Sequence, residues 1–216
     1  MQYNIHTEQH KPINIGPFRS SEREIIDLLK SWVAISIAFT ILRAGLNLSV
    51  DFLETLLISA ITVGLGFLLH EMGHKIMAQK YGCFAEFRSD DKMLILAIVL
   101  SFTGFLFAAP GAVVIAGPIG LRRNGMISIA GPAVNYILAI CFLLLTIFFY
   151  PIDILLKIGA FGFMINSWLG LFNMIPFGMF DGAKILRWDK VAYGVMVAIG
   201  FVFVFGQSII MGIFTG

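Results

Sequence analysis

The chain predicts an all-α integral membrane bundle of five or six transmembrane helices, with one membrane-associated β-hairpin or re-entrant segment. Three observations carry that prediction. Of the 216 residues, 58% are hydrophobic and only 13% charged, with a mean hydropathy of +0.89 that no ordinary soluble domain reaches. Apolar runs long enough to cross about 30 Å of hydrocarbon recur along the chain. Lys and Arg are gathered between those runs on a pattern that sorts to one side of a bilayer. The length suits one compact helical domain, so a separate soluble module is not expected.

In chain order, residues 1–24 read as a polar arm lying loose on the membrane surface, since Pro12, Gly16 and Pro17 break regular structure. His6 and His10 are four apart, but no Glu follows His6 and a second metal site there is not expected. Ser21-Glu22-Arg23-Glu24 reads as a capping box that starts a helix. Residues 25–48 form the first span, with Lys30 and Arg43 able to snorkel at its ends. Asp51 and Glu54 lead into a second span over 52–81. Residues 93–119 begin apolar enough to cross. Their second half, with Pro110, Gly111, Gly117 and Pro118, looks extended, and a polar turn follows over Arg122, Arg123, Asn124 and Gly125. Further spans are expected over 126–150, 154–186 and 191–214, with a turn at Pro151 and Asp153. Cys83 and Cys141 form no framework.

Charge resolves the ambiguous stretch. If 93–119 does not cross, Lys11, Arg19, Arg23, Lys30, Lys75, Lys80, Arg88, Lys92, Arg122, Arg123, Lys184, Arg187 and Lys190 share one side, and Asp51, Glu54 and Asp153 take the other. The expectation is therefore a multi-pass protein of the cell membrane with five full spans and a cytoplasmic N-terminus. The second span and the one ending near Asp181 then run in the same direction.

The chemistry sits in LGFLLHEMGHKIMA, residues 65–78. At helical pitch His70 and His74 lie one turn apart on one face, so both imidazoles can reach one ion while Glu71 stands free as a base. Zinc held by two imidazoles and a third ligand keeps a position open for water. The bare HExxH pattern also arises by chance, and histidines are often just satisfied core residues. Here they interrupt a run of membrane hydrophobicity, where ionisable groups cost a few kcal/mol each and persist mainly for function. Asp181, beside Pro176, Gly178 and Gly182, is the strongest third ligand, its bland alternative being an acidic residue at a helix end. Asn173 either donates to a substrate carbonyl or oxyanion or joins two helices. Asn135 carries the same two readings, with helix packing favoured by small Gly131 and Ala133.

HEMGH in one apolar helix, GPAVN in a later one and NMIPFGMFDG after the next together resemble the site-2 protease family of intramembrane zinc metalloproteases, over about residues 65–185. The resemblance implies His70, His74 and Asp181 as ligands of one zinc ion per chain, Glu71 as the base that activates zinc-bound water, and Asn173 as an aid to substrate or transition state. It implies a single transmembrane protease domain over 25–216 with a catalytic core at about 52–188, hydrolysing a peptide bond near the cytoplasmic face in the transmembrane helix of a membrane protein substrate. Its surroundings are the lipid bilayer; nucleic acid is not a partner, and homo-oligomer formation is left open. Such enzymes often act second, in regulated intramembrane proteolysis. The family's Asp-bearing segment usually has a second proline and a second glycine, which PFGMFDGA lacks, so a locally different backbone is expected with the Asp ligand kept. Without PDZ or CBS modules the chain looks like a short archaeal or bacterial form. The apolar 93–107 insert is longer than in compact relatives. PGAVVI, residues 110–115, resembles the edge strand the family offers an unwound substrate. A transporter or channel would favour inverted repeats, and none is visible. An inactive scaffold homologue would have little use for Glu71 between two intact histidines.

Overall fold

A computed structural model describes residues 12–15, 18–46, 49–105 and 110–215, with side chains for all of these except 12, 14, 15, 18 and 208–215. The readings made on 1–11, His6 and His10 among them, and on 106–109 lie outside the described residues.

The polar arm is not loose where it is described. Strands β1 (Pro12–Ile15) and β2 (Phe18–Ser21) pair antiparallel, Pro12 opposite Ser21 and Ile15 opposite Phe18. Gln79 explains why the hairpin stays put. Its Oε1 accepts from the Arg19 N–H at 3.1 Å and its Nδ-equivalent amide, Nε2, donates to the Arg19 carbonyl at 2.7 Å, so one side chain satisfies both backbone groups of an edge residue. Helix α1 (Glu22–Ala44) starts where the capping box put it: the Ser21 hydroxyl accepts from the Glu24 N–H at 3.2 Å, and Gly45 ends the helix at φ 67°. The Glu24 carboxylate does not turn back onto the cap. It is buried elsewhere.

The second expected span is interrupted but continuous. Helix α2 (Val50–Ser59) passes through a π turn at Ala60–Gly64 into helix α3 (Leu65–Lys80). The Ala60 carbonyl takes the Leu65 N–H across the wide turn and, as a second donor, the Trp32 indole of α1 at 3.0 Å. Strand β3 (Phe84–Ser89) follows, then helix α4 (Asp91–Ser101) and strand β4 (Gly111–Ala116). At 11 residues, α4 rises roughly 16 Å and is too short to span. The extended second half of 93–119 is real, but its partner lies upstream. β4 pairs antiparallel with β3, Phe84 opposite Ala116 and Ser89 opposite Gly111, rather than folding into a hairpin within the stretch.

Helix α5 (Leu121–Phe149) takes the expected polar turn into its first turns, and helix α6 (Asp153–Phe172) stops well short of residue 186. Pro176 cannot continue a helix and Gly178 sits at φ 66°, so residues 173–180 form a loop before the short helix α7 (Asp181–Trp188). Helix α8 (Lys190–Thr215) is the last described element. Among the described residues, five helical segments are long and apolar enough to cross a membrane: Glu22–Ala44, Val50–Lys80, Leu121–Phe149, Asp153–Phe172 and Lys190–Gln207.

Two apolar clusters fix the elements that matter for the site. Ile35, Ile58, Val63, Ile158, Phe161 and Ile165 join α1, the π turn and α6, while Tyr136, Met174, Ile185 and Met196 bind α5 to α7 and α8. Large apolar side chains such as Phe148, Val202 and Phe205 are exposed on the outside of the helices instead.

Candidate metal centre

Helix α3 presents His70 and His74 on one face, and the α6–α7 loop delivers Asp181 at the first turn of α7. The His74 Nε2 lies 3.0 Å and the His70 Nε2 3.4 Å from the Asp181 Oδ2. The two Nε2 atoms are 3.1 Å apart. All three residues are buried.

Hydrogen bonds to the far ring nitrogens determine what these near ones are. The His74 Nδ1 faces the Ile127 carbonyl at 2.8 Å; a carbonyl only accepts, so the proton is on Nδ1. The His70 Nδ1 faces the Asn135 Oδ1 at 2.6 Å. Asn135 has its own amide hydrogens committed to the Gly66 carbonyl at 3.2 Å and the Asn166 Oδ1 at 3.1 Å, so it too accepts from the ring. Asn166 in turn donates to the Gly162 carbonyl at 3.0 Å. Both Nε2 atoms therefore carry bare lone pairs, and a carboxylate oxygen completes the triangle. Three acceptors cannot satisfy one another in a buried space; a cation among them can. A tetrahedral zinc with bonds of about 2.0–2.1 Å separates its ligand atoms by about 3.3 Å, close to the three distances seen. The residues fit zinc.

Asp181 is held for this place. The Gly182 N–H donates to the Asn173 carbonyl at 2.7 Å and closes the loop, and a side chain at Gly182 would collide with the Met174 backbone. Lys184 approaches the other oxygen of Asp181 at 3.3 Å.

Glu71 is near enough to compete as a ligand, its donor atom falling with those of His70 and His74 within 4.8 Å. Asp181 lies closer, and the Glu71 Oε2 instead accepts the Val113 N–H of β4 at 3.2 Å. Asn173 caps α6: its amide donates to the Leu169 carbonyl at 2.9 Å, and no described hydrogen bond joins its side chain to the triangle. Asn135 does more than pack helices, since it sets the His70 ring. Asn166 was not singled out from the sequence, although an amide inside an apolar helix is the signal that marks it. Gly131 has a sharper role than packing: a Cβ there would lie 2.5 Å from the His74 Nε2 and 2.6 Å from the His70 Nε2.

The chain is 42% identical over 181 residues to a protein of Methanocaldococcus jannaschii that carries the provisional name zinc metalloprotease, a match covering 83% of this chain and 91% of the relative. The chain belongs to that zinc metalloprotease family. A second relative from the same organism, named zinc metalloprotease, is 34% identical over 125 residues, 55% of this chain and 30% of that longer protein. Searches against family models and solved structures give no match. The metalloprotease's cofactor is zinc, in agreement with the donor set. Because Asn135 fixes the tautomer and direction of His70, Asn135→Leu is expected to weaken zinc affinity by about 10–100-fold in a chelator competition, with the helices intact by circular dichroism.

Proposed function

We propose that this metalloprotease is an intramembrane protease of the site-2 type, which hydrolyses a peptide bond in the transmembrane segment of another membrane protein near the cytoplasmic face. The observation that carries the reading is the buried acceptor triangle, two of its three members on a helical segment of membrane-spanning length, with a strand edge against the adjacent Glu71. His70, His74 and Asp181 would hold the zinc, which when bound supplies Lewis acidity and a water more acidic than bulk water. Glu71 takes the proton of the attacking water as its oxygen bonds to the scissile carbonyl carbon. It then passes that proton to the leaving nitrogen as the C–N bond breaks. Asn173 would serve the substrate carbonyl after exchanging its bond to Leu169.

A transmembrane helix hides its carbonyls in its own hydrogen bonds, so cutting one demands local unwinding. The β4 strand supports this step. Val113 turns its N–H away from β3, and by alternation Gly111 and Ile115 turn theirs the same way, which leaves an edge that an extended stretch can join. The fourth-neighbour periodicity of an intact substrate helix cannot use that edge.

The test is a set of single-span reporters in proteoliposomes whose apolar segment carries Leu, Gly or Pro near the cut. A Pro in a helix interior costs about 3 kcal/mol, so the Pro reporter is expected to be cut at least about tenfold faster than the all-Leu one. Equal rates across the set would overturn the unwinding step, and no cutting within any apolar segment would overturn the function.

A further inference from the structure

Glu24 takes no part in the centre, yet it is wholly buried at 0% exposure, and its cationic partner Lys75 is buried at 4%. Burying such a pair is costly and gives little stability by itself, so what else it holds becomes the question. Its two oxygens work separately. Oε2 takes the Lys75 ammonium and the Ser20 hydroxyl, the latter at 2.7 Å, while Oε1 accepts the backbone N–H of Phe87 at 2.9 Å. Phe87 is the register partner of Val113, whose N–H is bound by Glu71. Opposed residues in an antiparallel ladder either both turn inward or both turn outward, and here one N–H reaches α1 and the other α3. Glu24 on α1 and Glu71 on α3 thus hold the two ends of a single rung of the sheet.

We propose that Glu24 is a positioning residue for the reaction: its Oε1 holds the Phe87 end of the Phe87–Val113 rung and so sets the edge N–H that holds the Glu71 carboxylate, while Lys75 serves to neutralise its buried charge. The inference rests on Glu71 being the base. A clamp of this kind acts on the chemical step, since displacing a reacting group by about 1 Å costs up to about 100-fold in rate. It leaves zinc binding untouched, because no ligand touches Glu24.

Two double variants separate this from a merely structural ion pair. Both lack the buried charges, but E24Q/K75M keeps an oxygen for the Phe87 N–H and E24L/K75M does not. Each is assayed in proteoliposomes with the Pro-bearing single-span reporter, and zinc per chain is measured by metal analysis. E24Q/K75M is expected to recover kcat to within about threefold of wild type, whereas E24L/K75M falls about 100-fold below it at equal KM and equal zinc content. Equal kcat for the two doubles, or a difference confined to KM or zinc content, would overturn the clamp. Should E24L/K75M fail to fold, Glu24→Asp, which withdraws the acceptor by about 1.5 Å, is the second variant with the same expectation and the same way to fail. Glu71→Gln in the same assay separates the two ideas: persistent cutting there defeats the role of Glu71 itself, while loss of cutting with equal doubles defeats only the clamp.

Discussion

Glu71→Gln is expected to bind zinc as fully as the wild type and to cleave about 10²–10⁴-fold more slowly, the range that a positioned general base contributes. The geometry makes the two halves of that result separable. The proposed ligand set does not call on Glu71, because Asp181 lies 3.0 and 3.4 Å from the two imidazoles. Glutamine has the shape of glutamate and keeps an oxygen for the Val113 N–H, so the strand edge and the fold have no reason to move. What it loses is the capacity to take up a proton. Metal analysis gives the first half, and the rate of reporter cleavage under saturating substrate gives the second. Cleavage at an undiminished rate would remove Glu71 from the mechanism. Zinc loss in step with activity would make it a ligand, displacing Asp181.

Local patterns made much of this legible before the structure. The i, i+4 spacing of His70 and His74 needs only a helix to bring two imidazoles together, and the apolar run around them supplies one. The Ser21 cap is similarly local, three residues from the N–H it accepts. Asp181 was within reach because Pro176 and Gly178 announce a broken helix, although they break it earlier than expected and turn one long span into α6, a loop and α7. Partners remote in sequence were the part that did not show. The Asn135–Asn166 bond spans 31 residues and the Glu24–Lys75 pair spans 51, and neither residue of either pair carries a neighbour that points to the other. Strand β3 was hidden for another reason. FAEFRS places Glu86 and Arg88 on its inner stretch, which reads as a loop until the two side chains are seen to pair with each other and Phe87 is found buried between them. Without β3, the extended look of residues 110–116 had no visible partner, so the sheet was sought inside 93–119.

The π turn belongs to the same class. Nothing in AITVG marks a wider helical turn, yet Gly64 meets the Trp32 ring so closely that a Cβ would lie 2.7 Å from it, and the indole N–H reaches the Ala60 carbonyl. The local geometry follows from what α1 places beside α3. Beyond that turn, the HEMGH face meets α5 at Gly131.

Gly131→Ala is expected to cut zinc content to below about a tenth of wild type while leaving the helices intact or firmer. The two effects pull apart for physical reasons. Within a helix, alanine is favoured over glycine by about 1 kcal/mol, so on backbone grounds α5 gains from the change. The added methyl, however, would sit 2.5 Å from the His74 Nε2 and 2.6 Å from the His70 Nε2, between the two lone pairs that face each other across 3.1 Å. A methyl that close forces the rings to move, and a zinc ion bonded to both nitrogens at about 2.0–2.1 Å would need them where they are. The rings cannot easily retreat, since Asn135 and the Ile127 carbonyl hold them from behind at 2.6 and 2.8 Å. Gly73, by contrast, faces the Ala130 carbonyl and Val134 at 3.0 and 3.1 Å, so Gly73→Ala disturbs the α3–α5 contact without entering the triangle and is the control. Zinc per chain and thermal unfolding, measured on both variants with and without added zinc, read the difference: the Gly131 variant should show no zinc-dependent rise in melting temperature, and the Gly73 variant should keep one. A Gly131→Ala protein that holds a full zinc ion would mean that the ion does not lie between these imidazoles.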